Sequence, residues 1–194
     1  MSLKERIYSI LVVSAAENFN NSLSGLLPKS DYNPVKIVSS ISSAGRTLAE
    51  RSYDFVIINS PLPDENGIRL AMDTTAFKNS VVLILVRTEV YGETLDKVTE
   101  YGVFALPKPT SKQILRRALT WLASARERIR IQERETNTLE DKINEIRVVN
   151  RAKLLLVSEL NMDEAQAHRY IIKQAMDKCV ARRKVAEEII KMYS

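Results

Sequence analysis

Cysteine and histidine are almost missing from this chain. It has one of each, Cys179 and His168. A single cysteine forms no internal disulfide and suits a reducing cytoplasm. It reads as a small apolar filler between two helices. With no His/Cys cluster there is no reason to assign a transition metal, and the lone histidine reads as a surface or half-buried residue rather than a ligand or base. Glycine is scarce too, at five residues, and none sits in a phosphate-cradling loop. No apolar run reaches the roughly 18–20 residues that span a bilayer. The short apolar segment near the N-terminus is not followed by a small-residue cleavage site, so it reads as a strand and not a signal peptide. These absences predict a protein that is not an enzyme, needs no cofactor and does not enter a membrane.

What is present is an apolar content of 45% in 194 residues, enough for one large domain or two small ones. The net charge of +5 is unevenly placed. Residues 1–109 hold 11 Lys/Arg against 12 Asp/Glu, whereas residues 110–194 hold 18 against 12. The basic excess lies in the C-terminal part and favours a polyanionic partner there.

The first half alternates strands and helices. Apolar runs at residues 7–13, 35–38, 55–58, 81–86 and 103–106 read as five buried strands. Between them lie helical stretches at residues 18–27, 43–51 (capped by Ser42 or Ser43), 68–75 and 93–101, the last stopped by Gly102. Such alternation predicts an α/β fold with a parallel sheet covered on both faces and a site at the carboxyl ends of the strands. From Ser111, a plausible N-cap, no proline or glycine interrupts the chain until about Glu159. That predicts one helix roughly 70 Å long, with Trp121 on its first turns in the core. A heptad register places Leu115, Leu122, Ile129 and Ile143 at a positions and Leu139 and Ile146 at d positions, predicting a dimer seam. The rival is a linker helix that is solvated or packed on its own chain.

Two short helices follow. Asp163-Glu164-Ala165-Gln166 is a capping box. The run after it puts Ala167, Tyr170, Ile171, Ala175 and Met176 near one face, and the last helix puts Val185, Ala186, Ile189 and Ile190 on its inner face. Short helices are marginal alone, so they must pack on each other or on the end of the long helix. Arg151, Lys153, Arg169, Lys173, Arg182, Arg183 and Lys184 remain for an outer surface. Guanidinium groups contact two phosphate oxygens at once. Tyr170 and Gln174 are candidate base contacts, with core the rival reading for Tyr170.

Two resemblances carry the rest. Val149-Asn150-Arg151-Ala152-Lys153, then Met162 to Ala167, Ile171 to Met176 and Val185-Ala186, resemble the ANTAR family of transcription antitermination regulators at the right spacing over about fifty residues. Leu154 and Val157 stand where that family usually has Gly and Met, which implies a small packing change. Residues 5–122 resemble the receiver domain of response regulators through the first strand, the loop with Leu62-Pro63-Asp64 and Gly67, and Lys108-Pro109. In that family an Asp accepts phosphate and an acidic pair holds Mg²⁺. Here the acceptor position is Asn59 and the acidic pair falls on Ser14 and Ala15. The switch Thr/Ser falls on Val86 or Arg87, with Thr88 a substitute. Only Lys108 survives, beside the Asn59 amide or bonded to carbonyls at the same edge. An amide has no anionic oxygen to attack phosphorus.

The resulting expectation is α/β plus all-α. A receiver-like (flavodoxin-like), doubly wound five-stranded domain spans residues 1–122, a coiled-coil linker helix 111–148, and an ANTAR domain of three helices 139–194. The resemblance implies binding to stem-loops in nascent leader RNA; the cysteine count adds a cytoplasmic location, the heptad register a homodimer, and the residues at positions 14, 15 and 59 a phosphorylation-independent receiver-like domain, with a regulatory protein among the possible partners. A DNA-binding response regulator and a protein-interaction module without nucleic-acid binding are the rivals.

Overall fold

A computed structural model describes residues 6–193, apart from the side chains of residues 77 and 78. The chain divides into two compact units, Met1–Arg130 and Ile131–Ser194.

In the first unit five parallel strands, β1 (Tyr8–Val13), β2 (Tyr32–Val38), β3 (Phe55–Asn59), β4 (Val81–Arg87) and β5 (Phe104–Lys108), are ordered β2-β1-β3-β4-β5. They alternate with α1 (Glu17–Ser24), α2 (Ile41–Glu50), α3 (Ile68–Lys78) and α4 (Tyr91–Thr99), and α5 (Lys112–Leu160) follows β5. The central strands are apolar on both faces because helices cover both. Leu11, Val13, Val56, Ile58, Val82 and Ile84 pack with Ala44 and Leu48 of α2, Ala71 of α3 and Val98 of α4. The alternate residues Ile10, Val12, Phe55, Ile57, Leu83 and Leu85 pack with Leu23 of α1 and with Leu115, Ala118, Leu119 and Leu122 of α5. Burying a side chain of this size is worth about 1.5–3 kcal/mol.

Several boundaries differ from expectation for local reasons. Helix α2 begins earlier, because the hydroxyl of Ser40 accepts from the Ser43 amide and makes Ser40 the N-cap, ahead of Ser42 and Ser43. Helix α4 starts at Tyr91 and ends at Thr99, so Gly102 (φ +71°) lies in the turn beyond its C-cap. Trp121 is 50% exposed and is not core: the buried positions of this helix segment are Leu115, Ala118, Leu119 and Leu122. Leu115 and Leu122 are therefore spent on this unit's own core, where Ile129 also packs, and do not belong to a seam between copies.

Helix α5 is continuous from Lys112 to Leu160, and the Ser111 hydroxyl accepts from the Ile114 amide at its start. In the second unit its last turns pack with α6 (Glu164–Asp177) and α7 (Arg182–Tyr193). Ala152, Leu156, Ala167, Ile171, Ala175, Val185, Ala186 and Ile189 form that core. The Asp163 carboxylate accepts from the Gln166 amide, and the Gln166 side chain accepts from the Asp163 amide, which completes the capping box. Met176 is 72% exposed and Tyr170 also faces solvent, so both leave the buried stripe assigned to them. At about 100° per residue they fall outside the narrow sector that Ala167, Ile171 and Ala175 occupy. Cys179 is exposed as well, and is no apolar filler. It takes φ +53° in the turn after α6, where Cys179 and Val180 donate their amides to the carbonyls of Met176 and Ala175. That is a Schellman motif with cysteine at the position glycine usually occupies.

Candidate functional site

The carboxyl edge of the sheet is built from neutral and cationic groups. β1 delivers Ser14 just past its end, and β3 ends on Asn59; both side chains are buried. The Asn59 amide donates to the Ser14 hydroxyl at 3.1 Å, and that oxygen also accepts from the Ala16 backbone. Lys108, the last residue of β5, donates from Nζ to Asn59 Oδ1 at 2.9 Å and to the Ser60 carbonyl. Both arrangements foreseen for Lys108 thus occur together, and the Lys108–Pro109 bond is cis. Burial, and then the nearby Arg87 charge, hold the Lys108 ammonium below the usual lysine range. Ala15 is exposed beside the site. Val86 is not part of it: successive strand residues point to opposite faces, and Val86 is buried on the face covered by α2, α3 and α4. Arg87 pairs in register with Lys108, and Thr88 donates its hydroxyl to the Lys108 carbonyl at 2.8 Å. On the other side of β1 a cleft of about 380 Å³ is lined by Ser14, Ala15, Glu17, Asn20, Ser39 and Ser43.

The loop between β3 and α3 is structural. Asp64 accepts from the backbone amides of Ile41 and Ser42, which satisfies free N–H groups at the start of α2 and pulls its carboxyl below the usual range. Gly67 has φ +77°, and a Cβ there would lie 2.8 Å from Ile58 Cγ2. Only glycine fits both limits.

Of the basic residues assigned to an RNA-binding surface, four are exposed with no ion-pair partner among the described residues: Arg151, Arg169, Lys173 and Lys184. Arg169 and Lys173 are one turn apart and lie opposite the buried stripe of α6, as Lys184 does on α7. The other three basic residues are paired. Lys153 bonds Glu164 at 2.9 Å, Arg183 bonds Glu187 at 2.8 Å, and Arg182 approaches Glu145 at 3.7 Å. A groove of about 460 Å³ gathers Lys153, Arg182, Lys142, Asn150 and His168 around the apolar Ile146 and Val149. It unites two of the expected residues. Sequence reasoning missed the rest of it, because Lys142 carried no assigned binding role, Asn150 entered as part of the ANTAR-like stretch and His168 read as a surface or half-buried residue. Leu154 is 70% exposed and Val157 also faces solvent, so neither replacement alters the packing inside this unit.

Residues 137–190 match the model of the ANTAR domain. These residues form an ANTAR domain. Over 138 residues the chain is 28% identical to the transcriptional regulatory protein PdtaR of Mycobacterium tuberculosis, covering 71% of this chain and 67% of PdtaR. The signal receiver domain of an HD domain-containing protein from Pseudomonas fluorescens Pf-5 superposes with a TM-score of 0.56 at 25% identity, covering 70% of this chain and 96% of that one. The receiver domain of the TMAO respiratory system response regulator TorR gives 0.54 at 19% identity, covering 63% and 98%, and shows the shared fold. The chain thus joins a receiver fold to an ANTAR domain, the arrangement of an ANTAR response regulator. No helix among the described residues is long and apolar enough to cross a membrane.

Proposed function

We propose that this chain is an RNA-binding transcription antitermination regulator that works as a homodimer without phosphorylation of its receiver-like domain. The observation that carries this reading is the unpaired basic set on the ANTAR domain, Arg151, Arg169, Lys173 and Lys184, outside a core that is complete without them. Cations held at a surface by a packed three-helix core suit phosphates of a folded transcript, and exposed Tyr170 supplies a ring on which an unstacked loop base can stack. In the dimer two such domains meet two stem-loops. The seam is narrower than the heptad pattern suggests: Leu139, Ile143 and Ile146 remain exposed at 59%, 50% and 60%. Apolar residues spaced four and three apart on a helix are the pattern of a paired helix.

Asn59 lacks the carboxylate that would accept phosphate, and Ser14 and Ala15 lack the charge that would hold Mg²⁺. Acetyl phosphate therefore leaves the protein mass unchanged. A stoichiometric phosphoryl adduct that disappears in Asn59→Ala contradicts this.

Replacing Arg151, Arg169 and Lys173 together with alanine tests the interface. The triple variant keeps its fold and loses about 3 kcal/mol of affinity for a two-hairpin RNA, with a flatter salt dependence. Unchanged affinity removes the proposed surface.

A further inference from the structure

We propose that the carboxyl edge between β4 and β5 is a Mg²⁺-independent binding site for a small oxyanion, held by Arg87 and Lys108 without covalent transfer. This goes beyond the RNA-binding reading and does not rest on it.

The geometry has four parts. First, the two cations are register partners on adjacent strands, Arg87 on β4 and Lys108 on β5, so both emerge at one point of the sheet edge. Second, neither has a carboxylate partner among the described residues. Third, Lys108 is fixed rather than loose. Two of its N–H donors go to Asn59 Oδ1 and the Ser60 carbonyl, and its own carbonyl accepts from Thr88. A third N–H remains, because an ammonium has three donors. Fourth, the groups that hold Lys108 in place are neutral. Ser14 and Asn59 are neutral, buried and bonded to each other. Glu17 lines the cleft beside β1 and β2, away from the β4–β5 edge, and Glu89, two residues beyond Arg87, is exposed.

Two like charges fixed beside each other repel, and Arg87 does disfavour the charged form of Lys108. An anion between them relieves that repulsion and is bound more tightly for it. A planar guanidinium offers two parallel N–H groups to an oxyanion, and the ammonium supplies a point charge. Where a metal-dependent site needs carboxylates to bring Mg²⁺ to the phosphate, this edge supplies positive charge from the protein itself. The ligand class is therefore a phosphate or carboxylate oxyanion, taken up without divalent metal.

The test is an amide-resolved NMR titration of the full chain in EDTA at constant ionic strength. One series uses inorganic phosphate and another acetate, which separates a tetrahedral from a planar oxyanion. The expected result is saturable shifts confined to residues 59–60, 87–88 and 107–110 with at least one of the two anions. Arg87→Gln, a change at an exposed side chain, weakens that binding by about tenfold. Arg46→Gln, an exposed cation on α2, leaves it unchanged. Non-saturating shifts spread over all exposed cations, equal weakening by Arg46→Gln, or saturation only when Mg²⁺ is added would each overturn the site.

Discussion

At the scale of single residues, Asp54 shows how one carboxylate fixes a helix to a sheet. It accepts from the backbone and hydroxyl of Ser9 at 2.9 Å, from Arg126 Nε at 2.9 Å and from Arg130 at 2.8 Å. Arg130 also bonds Glu127 and covers the Tyr8 ring at 5.2 Å. Burial alone would raise the Asp54 carboxyl, but the hydrogen bonds from Ser9 and the two guanidinium groups outweigh it and hold it below its ordinary value of 3.8. A carboxyl lowered on folding contributes stability above its ordinary range, and that contribution is lost as pH falls through the lowered value. Asp54→Asn is therefore expected to cost about 2 kcal/mol at neutral pH. Chemical denaturation at pH 7 and pH 3 checks it, with the gap between variant and parent narrowing at the lower pH. Gly67→Ala is expected to cost at least about 1 kcal/mol, because it meets both the left-handed backbone and the Ile58 methyl. A thermal melt with no shift contradicts that.

Residue-level chemistry was legible where a motif fixes a side chain's job, as at Asn59 and Lys108. It was not legible where only burial decides. Val86 stood next to the site in sequence but points to the sheet face, and Trp121 is half exposed despite its size. The Asp54 network left no local signal, since the partners of Asp54 lie between 45 and 76 positions from it in the chain.

At the scale of elements, periodicity named the strands and the helices because each has an apolar face to bury. Their ends were harder, since caps such as Ser40 are single hydrogen bonds that several serines could make. The α6 cap was clearer because its two bonds are reciprocal, and Asp163→Ala is expected to cost about 1 kcal/mol in unfolding. The turn after α6 gives the opposite sign. Cys179 holds φ +53° with its side chain exposed, so Cys179→Gly is expected to stabilise by about 0.5 kcal/mol. A lower unfolding midpoint would contradict the assignment of strain there. The long helix carried a heptad over its whole length, yet its first third is spent on the receiver fold. Sequence alone does not say which partner an apolar stripe meets. Aspartate at Leu139 and Ile143 is expected to leave each unit folded and to halve the mass by light scattering from twice 22.0 kDa to one chain. A parent protein that already runs as one chain removes the seam.

At the scale of the whole molecule, the uneven charge and the two units point the same way. The basic excess lies in the C-terminal part, which carries the ANTAR domain, while the sheet edge of the receiver fold presents the neutral Ser14 and Asn59 and the cationic Arg87 and Lys108. The central claim is that the unmodified chain recognises folded RNA. It is tested most directly by measuring, in EDTA and at two salt concentrations, the affinity of the full chain for a two-hairpin RNA and for duplex DNA of equal charge. The account predicts tight binding to the RNA, a two-to-one protein-to-RNA stoichiometry, and weak, strongly salt-dependent binding to the DNA. Equal binding to both, or RNA binding that appears only after acetyl phosphate and Mg²⁺ are supplied, would contradict it.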